Sequence, residues 1–141
     1  MDRSFEYAKM QYKWITKCLE EDEKWEELAF FELGVDLGIR IAELKNIKWE
    51  QIDFPYIRDI RISKKKDTDK EECYKPLEIS LNTFETINRI YDNRVDDYIF
   101  QYNPYHYIGS ISESIGTTFN GHNMRNMSIV FQANLIQQMW Q

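Results

Sequence analysis

The sequence has little of what marks secreted, membrane-spanning or disulfide-rich proteins. Its 141 residues include two cysteines, three prolines and five glycines. Cys18 and Cys73 are far apart and form no CxxC pair, which fits a reducing compartment and gives no sign of a zinc site. No apolar run approaches the ~18 residues of a membrane span, and the N-terminal stretch has no signal-peptide character. We therefore expect a cytoplasmic protein that contacts no membrane.

What the sequence does contain is typical of one globular domain. It is 43% hydrophobic and 15% aromatic, and its formal net charge is −6. A negative total ordinarily opposes nucleic-acid binding. The acids are concentrated, however, because residues 20–36 hold eight acids and one lysine, whereas residues 57–76 hold seven basic and five acidic residues. The total charge therefore does not exclude a local basic site.

Helical spacing of apolar residues predicts that most of the chain is helical. Gly38 is a natural helix end and Ser80 a natural helix N-cap. The predicted helices cover residues 4–19, 25–37, 40–46, 81–91, 112–119 and about 121–139. Residues 57–63 and 73–80 alternate apolar and polar residues as strands do, and the charged segment between them predicts a hairpin tip. The predicted fold class is α+β, mainly α, with a small antiparallel β-sheet.

Three features in order resemble the tyrosine recombinases, the phage-integrase family. The segment LGIRIAEL at residues 37–44, followed by IKW and ID, resembles the first signature box of that family. The strand, loop and strand of residues 57–80 resemble the hairpin that carries the family's active-site lysine. The segment YIFQYNP, a helix and then HNMR at residues 122–125 resemble its second box, the His-x-x-Arg pair. Arg40 and Arg125 are 85 residues apart.

The resemblance implies a tyrosine-recombinase-catalytic-domain-like fold whose active site holds a DNA phosphate, with no metal or cofactor. Arg40 and Arg125 would clamp the phosphate, since two planar guanidinium groups can match its charged oxygens bidentately. His122 would act as general acid/base or hydrogen-bond donor. Lys64 would be the hairpin lysine.

Several of these assignments remain open at the level of sequence. Lys65 and Lys66 are alternatives to Lys64, and all three are either phosphate contacts or a solvated hairpin tip. Arg40 also suits a helix N-terminus, where it could pair with Glu43, and His122 also suits the first turn of a helix. For the remaining aromatic candidates and the second histidine we expect packing within the protein instead of base stacking: Tyr102, Tyr105, Tyr107 and His106.

The sequence departs from the family pattern after the second arginine. The family places its nucleophilic tyrosine more than twenty residues beyond that arginine, whereas this sequence ends sixteen residues after Arg125 and has no tyrosine after Tyr107. A covalent route needs its nucleophile. We therefore expect residues 1–141 to form a single integrase-catalytic-like domain that lacks the family's N-terminal core-binding domain and C-terminal tyrosine segment.

The expected function is that of a phage- or prophage-type DNA-binding or regulatory protein in a bacterial host cell, unable to cleave DNA. One alternative is a genuine DNA integrase or recombinase whose C-terminal segment is missing or supplied in trans. The other is a protein-interaction module that oligomerises with recombinase-like subunits.

The last predicted helix is unusually poor in charge. Residues 101–141 contain two formally charged side chains, Glu113 and Arg125. The apolar residues of this helix cover more than one face, which is wider than packing on one side requires. We therefore expect a homo-oligomer or partner-protein interface there. Its predicted residues are Phe131, Leu135, Ile136, Met139 and Trp140.

Overall fold

The computed structural model describes residues 3–62, 73–117, 119 and 123–139, with the backbone alone for Arg3 and Ile62. These ranges contain α1 (Arg3–Glu21), α2 (Trp25–Leu37), α3 (Ile41–Lys45), β1 (Ile52–Asp53), β2 (Tyr56–Ile62), β3 (Cys73–Glu78), α4 (Leu81–Tyr91), α5 (Tyr105–Glu113) and α6 (Asn123–Met139). A short 3-10 helix, Trp49–Gln51, precedes β1. The predicted α+β class with a small antiparallel sheet is confirmed.

Helix α2 is the centre of the fold. Nine of its 13 residues are buried, and it packs against α1, α4 and α6. A helix that is apolar all round needs neighbours on several sides. Phe30 packs edge to face on Phe100 with 5.2 Å between ring centroids, and Phe31 lies 5.3 Å from the ring of Tyr12. This packing fixes α2 and therefore the chain that leaves its C-terminal end.

The end of α2 is set by Gly38, as predicted. Gly38 has a left-handed backbone with φ of 63°, and its N–H donates to the carbonyl of Gly34 at 2.9 Å. A Cβ atom at this position would lie 2.6 Å from Oγ of Ser128 on α6. Glycine therefore serves two purposes here, since it permits the positive φ and lets α6 approach the turn closely.

The sheet has strand order β1-β2-β3, and each neighbouring pair is antiparallel. The register of β2 with β3 shifts between Ile57 and Ile60, and Asp59 within this bulge has φ of 56°. Ile57 and Ile60 are both buried although they are three residues apart. The simple alternation predicted for this strand is therefore interrupted, because a bulge inserts one extra residue.

The predicted start of α4 is confirmed. Oγ of Ser80 accepts a hydrogen bond from the Thr83 N–H at 3.2 Å, which satisfies one of the first amides of the helix. The predicted hairpin tip with Lys64, Lys65 and Lys66 lies outside the described residues.

The predicted helix over residues 112–119 is wrong in position. Helix α5 covers Tyr105–Glu113, directly after Pro104, and the chain then turns through Gly116, whose φ is 79°. Gly109 is buried in α5, where an added Cβ would lie 3.4 Å from Cδ1 of Phe119. Close packing of Phe119 on this glycine explains why the helix includes it.

Candidate functional site: an arginine-lined cavity

A cavity of about 250 Å³ lies where the end of α2 meets α3, α6 and the β2–β3 pair. We call it the arginine cavity, because three arginines line it: Arg40, Arg61 and Arg125. Its other lining residues are Leu37, Gly38, Ile39, Glu43, Leu77 and Gln132. A water molecule takes ~30 Å³ in the liquid, so the cavity can hold a phosphate group together with several waters.

Arg40 reaches the cavity because of its position between two anchored neighbours. It is the residue before α3 and has an extended backbone, with φ of −71° and ψ of 152°. Ile39 is buried and Ile41 packs against the core. The core thus holds both isoleucines while the Arg40 side chain is exposed. The predicted position of Arg40 at a helix N-terminus is confirmed.

Arg125 reaches the same cavity from α6. It precedes Ser128 by three residues, so the two side chains share one face of the helix. Ser128 is the residue that touches Gly38, and it also accepts a hydrogen bond from Nε2 of Gln132 at 3.0 Å. The contact between Ser128 and Gly38 therefore brings Arg125 to the turn that carries Arg40.

Positive charge exceeds negative charge in the arginine cavity. Arg61 pairs with Glu43, with 3.9 Å between Nη1 and Oε1. Within the described ranges, Arg40 and Arg125 form no ion pair with an acid. Guanidinium groups that face a cavity without paired carboxylates are suited to bind an anion with planar oxygen pairs, such as a phosphate.

Four of the predicted site residues lie outside the described ranges: Lys64, Lys65, Lys66 and His122. Their roles stay predictions. Along the chain they are neighbours of cavity residues, because Lys64 follows Arg61 by three residues and His122 precedes Arg125 by three.

Arg61 is a cavity residue that the alternating pattern of the sequence does not indicate. In a regularly alternating β2, Arg61 would share a face with buried Ile57. The signal that could have identified the bulge is the three-residue spacing of Ile57 and Ile60, which breaks a period of two.

The aromatic candidates lie away from the arginine cavity. Tyr105 packs against Phe119 with 4.9 Å between ring centroids, as predicted, and the hydroxyl of Tyr102 donates to Glu27. Tyr107 is exposed. His106 is also exposed, and its ring makes an edge contact with the ring of Tyr105. The packing predicted for His106 is therefore slight among the described residues.

Helix α6 exposes the apolar surface that the sequence predicts. Ile129 is 63% exposed, Leu135 59%, Ile136 56% and Met139 78%, whereas Phe131 is half-buried against Tyr12. The fold therefore buries Met124, Met127 and Ser128 near the start of α6 and leaves the first four of these apolar residues exposed. Trp140, also predicted for this interface, lies outside the described residues.

No metal site is evident in the described ranges, where no group of three His, Cys, Asp or Glu side chains could hold an ion. Cys18 and Cys73 are half-buried and unpaired. No described helix has both the length and the apolar character needed to cross a membrane.

Two solved structures share this fold. The crystal structure of XerA recombinase matches with a TM-score of 0.69 at 18% sequence identity, over 92% of this chain and 49% of the other. A lambda integrase dimer bound to a COC' core site matches with a TM-score of 0.55 at 20% identity, over 89% of this chain and 51% of the other. The chain thus spans about half the length of each. No curated protein sequence matches it.

The fold is that of a tyrosine-recombinase catalytic domain. More specifically, the chain belongs to the phage integrase family, whose profile matches residues 7–135. The resemblance stated from three sequence features is confirmed at the level of family and fold.

Proposed function

We propose that residues 1–141 bind DNA reversibly and hold one backbone phosphate in the arginine cavity between Arg40 and Arg125. The observation that carries this proposal is the convergence of two arginines, from the start of α3 and from α6, on one cavity where neither pairs with a described acid. Such contacts position a protein on the duplex without reading base sequence. The predicted partners of the cavity are therefore DNA phosphates in general.

Reversible binding, without cleavage, is the expected activity of these 141 residues. A phosphotyrosine intermediate requires a tyrosine hydroxyl at the phosphate. Of the tyrosines in the described ranges, none lines the arginine cavity. The chain would then act as a DNA-binding or regulatory factor of a phage or prophage, in the cytoplasm of the bacterial host.

Single arginine variants test the phosphate contacts. Arg40→Ala and Arg125→Ala should each weaken binding to a short fluorescent duplex by about tenfold and lower the salt slope by about 0.9. Arg94→Ala is the matched control, because Arg94 stacks on Tyr91 and lines a cavity that shares no residue with the arginine cavity. Fluorescence anisotropy at several salt concentrations measures both quantities. Equal affinities for all four proteins would exclude the proposed clamp.

The alternative is an active recombinase whose nucleophile comes from another segment or subunit, and family membership favours it. A nicked suicide DNA substrate separates the two functions. Reversible binding predicts no adduct in a denaturing gel, whereas a covalent protein–DNA band would establish strand cleavage.

We also propose that the exposed apolar face of α6 pairs with a second copy of the chain. Residues 123–139 carry one formal charge, that of Arg125, so two copies of α6 would meet with little repulsion. The solved lambda integrase that shares the fold is described as a dimer, which supports the proposal. Self-association without affinity for any DNA would favour a protein-interaction module instead.

A further inference from the structure

Arg61 and Glu43 stand between two cavities. Both residues line the arginine cavity, and both also line a second cavity of about 530 Å³ on the other side of their ion pair. The second cavity is also bordered by Lys48, Asp59 and Tyr74, among others. The Arg61 side chain is 52% exposed and that of Glu43 19%. The pair therefore forms a wall that a ligand in either cavity would touch.

The bulge in β2 is what turns Arg61 toward this wall. In a regular strand, residues 57, 59 and 61 would share one face, and Ile57 is fully buried. The register shift lets Ile60 take the buried position instead, and Asp59 adopts a left-handed conformation that aspartate tolerates. Arg61 consequently lies on the exposed face, beside Glu43.

We propose that Arg61 is a third phosphate-binding residue and that Glu43 is a positioning residue that keeps the Arg61 guanidinium at the arginine cavity when DNA is absent. This inference rests on the proposed function of the cavity. The Nη1–Oε1 distance of 3.9 Å exceeds hydrogen-bond length, so these two atoms attract each other without a hydrogen bond. A half-exposed ion pair of this kind is weak, and a phosphate oxygen in the cavity can compete with the Glu43 carboxylate for Arg61.

Glu43 thus has two opposing effects on DNA binding. It orders Arg61 near the cavity, and it competes with the phosphate for the same guanidinium while adding a negative charge. The negative charge acts on every phosphate contact, whereas ordering and competition both act through Arg61. A mutation of Arg61 therefore separates the general effect of the charge from the effects that require Arg61.

The test measures anisotropy of a short mixed-sequence fluorescent duplex from about 50 to 200 mM salt. Arg61→Gln should weaken binding about tenfold and lower the salt slope by about 0.9, whereas Arg61→Lys should keep the slope, since it keeps the charge. Arg58→Gln is the matched control on the same strand, because its guanidinium donates to the Glu50 carbonyl and lines neither cavity. Thermal unfolding of each variant checks that the fold is intact.

Glu43→Gln should tighten binding about threefold to tenfold in the otherwise unchanged chain. In the Arg61→Gln background, at least half of this gain in log affinity should vanish. An equal gain in both backgrounds, or an Arg61→Gln variant that behaves like Arg58→Gln, would overturn the inference. If Arg40→Ala and Arg125→Ala still weaken binding in that case, the proposed function stands and the role of Arg61 alone is lost. If those two variants also bind normally, the proposed function has failed.

Discussion

Glu32 is the ionisable side chain that the fold encloses most completely among the residues described, with 1% of its surface exposed. It lies on α2, where it accepts hydrogen bonds from Thr86 Oγ1 at 2.7 Å and from the Asn82 amide on α4. Burial raises the pKa of Glu32 to about 7, the two hydrogen bonds oppose the shift, and the charges of Asp36 and Glu20 add to it. The Glu32 carboxyl group therefore links α2 to α4 through hydrogen bonds, and its burial disfavours the charged form.

This residue makes stability depend on pH in a definite direction. Between pH 4.5, the ordinary pKa, and about 7, folded Glu32 keeps a proton that the unfolded chain has released. The free energy of unfolding should thus fall as pH rises through this range. Glu32→Gln should flatten that fall and stabilise the protein at pH 8 by about 1 to 3 kcal/mol.

Denaturant unfolding at several pH values measures this effect, and Glu85→Gln on the exposed surface of α4 is the control with the same loss of charge. If the free energy of unfolding falls with pH as steeply for Glu32→Gln as for Glu85→Gln, Glu32 ionises normally in the folded protein.

The site residues differ in how far the sequence could predict them. Arg40 and Arg125 stand in motifs with recognisable neighbours, so their types and spacing were sufficient to select both. Arg61 carries no such motif, and its orientation depends on a bulge whose register is fixed by pairing with β3. Pairing between strands distant in sequence is a tertiary property that local alternation does not determine.

Among the elements, α6 and the end of α2 pack closely beside the candidate site. Gly38 is the contact point, where a Cβ atom would lie 2.6 Å from Ser128 Oγ. Arg40 follows this turn and Arg125 precedes Ser128 on α6, so the separation of the two helices sets the spacing of the two arginines.

Gly38→Ala should therefore damage stability and binding together. The positive φ and the clash with Ser128 should lower the free energy of unfolding by about 1 to 3 kcal/mol, and the displaced α6 should weaken DNA binding about as much as Arg125→Ala. Gly34→Ala is the control on the same helix, because its Cβ would meet the flexible side chain of Met124 at 2.8 Å and α2 gains helix propensity. Chemical unfolding and anisotropy measure the two effects. If the Gly38→Ala protein is destabilised but binds DNA normally, the contact between α6 and α2 does not control DNA binding at the site.

The exposed apolar face of α6 should make self-association sensitive to a single added charge. Ile136→Glu should convert a dimer to a monomer in analytical ultracentrifugation, because it introduces a charge on a face where four apolar residues are exposed. Gln137→Glu adds the same charge to an exposed polar position of the helix and should leave the dimer intact. An unmodified chain that sediments as a monomer at high concentration would contradict self-association through α6.

Helix positions were predictable where periodicity and end signals agreed, as in α2 and α4. Helix α5 was predicted too late in the chain. It includes Gly109, which packs against Phe119, ten residues further along the chain. Packing from a distant residue outweighed local propensity in this case.

Over the whole molecule, the distribution of charge matters more than its sum of −6. The acids of residues 20–27 precede or begin α2, whereas the arginine cavity lies at its other end. A helix of 13 residues is about 20 Å long at ~1.5 Å per residue. Charges at that distance are largely screened at physiological ionic strength, where the Debye length is about 8 Å. A local cationic site is thus compatible with an acidic protein.

DNA binding by the arginine cavity is proposed to depend on phosphate contacts of Arg40 and Arg125. The most direct test is the slope of log affinity against log salt concentration for the unmodified chain and for the Arg40→Ala, Arg125→Ala double variant. Each phosphate contact contributes a slope of about 0.9, so the double variant should lose about 1.8. If the unmodified chain and the double variant show the same affinity and the same salt slope, the proposal is contradicted.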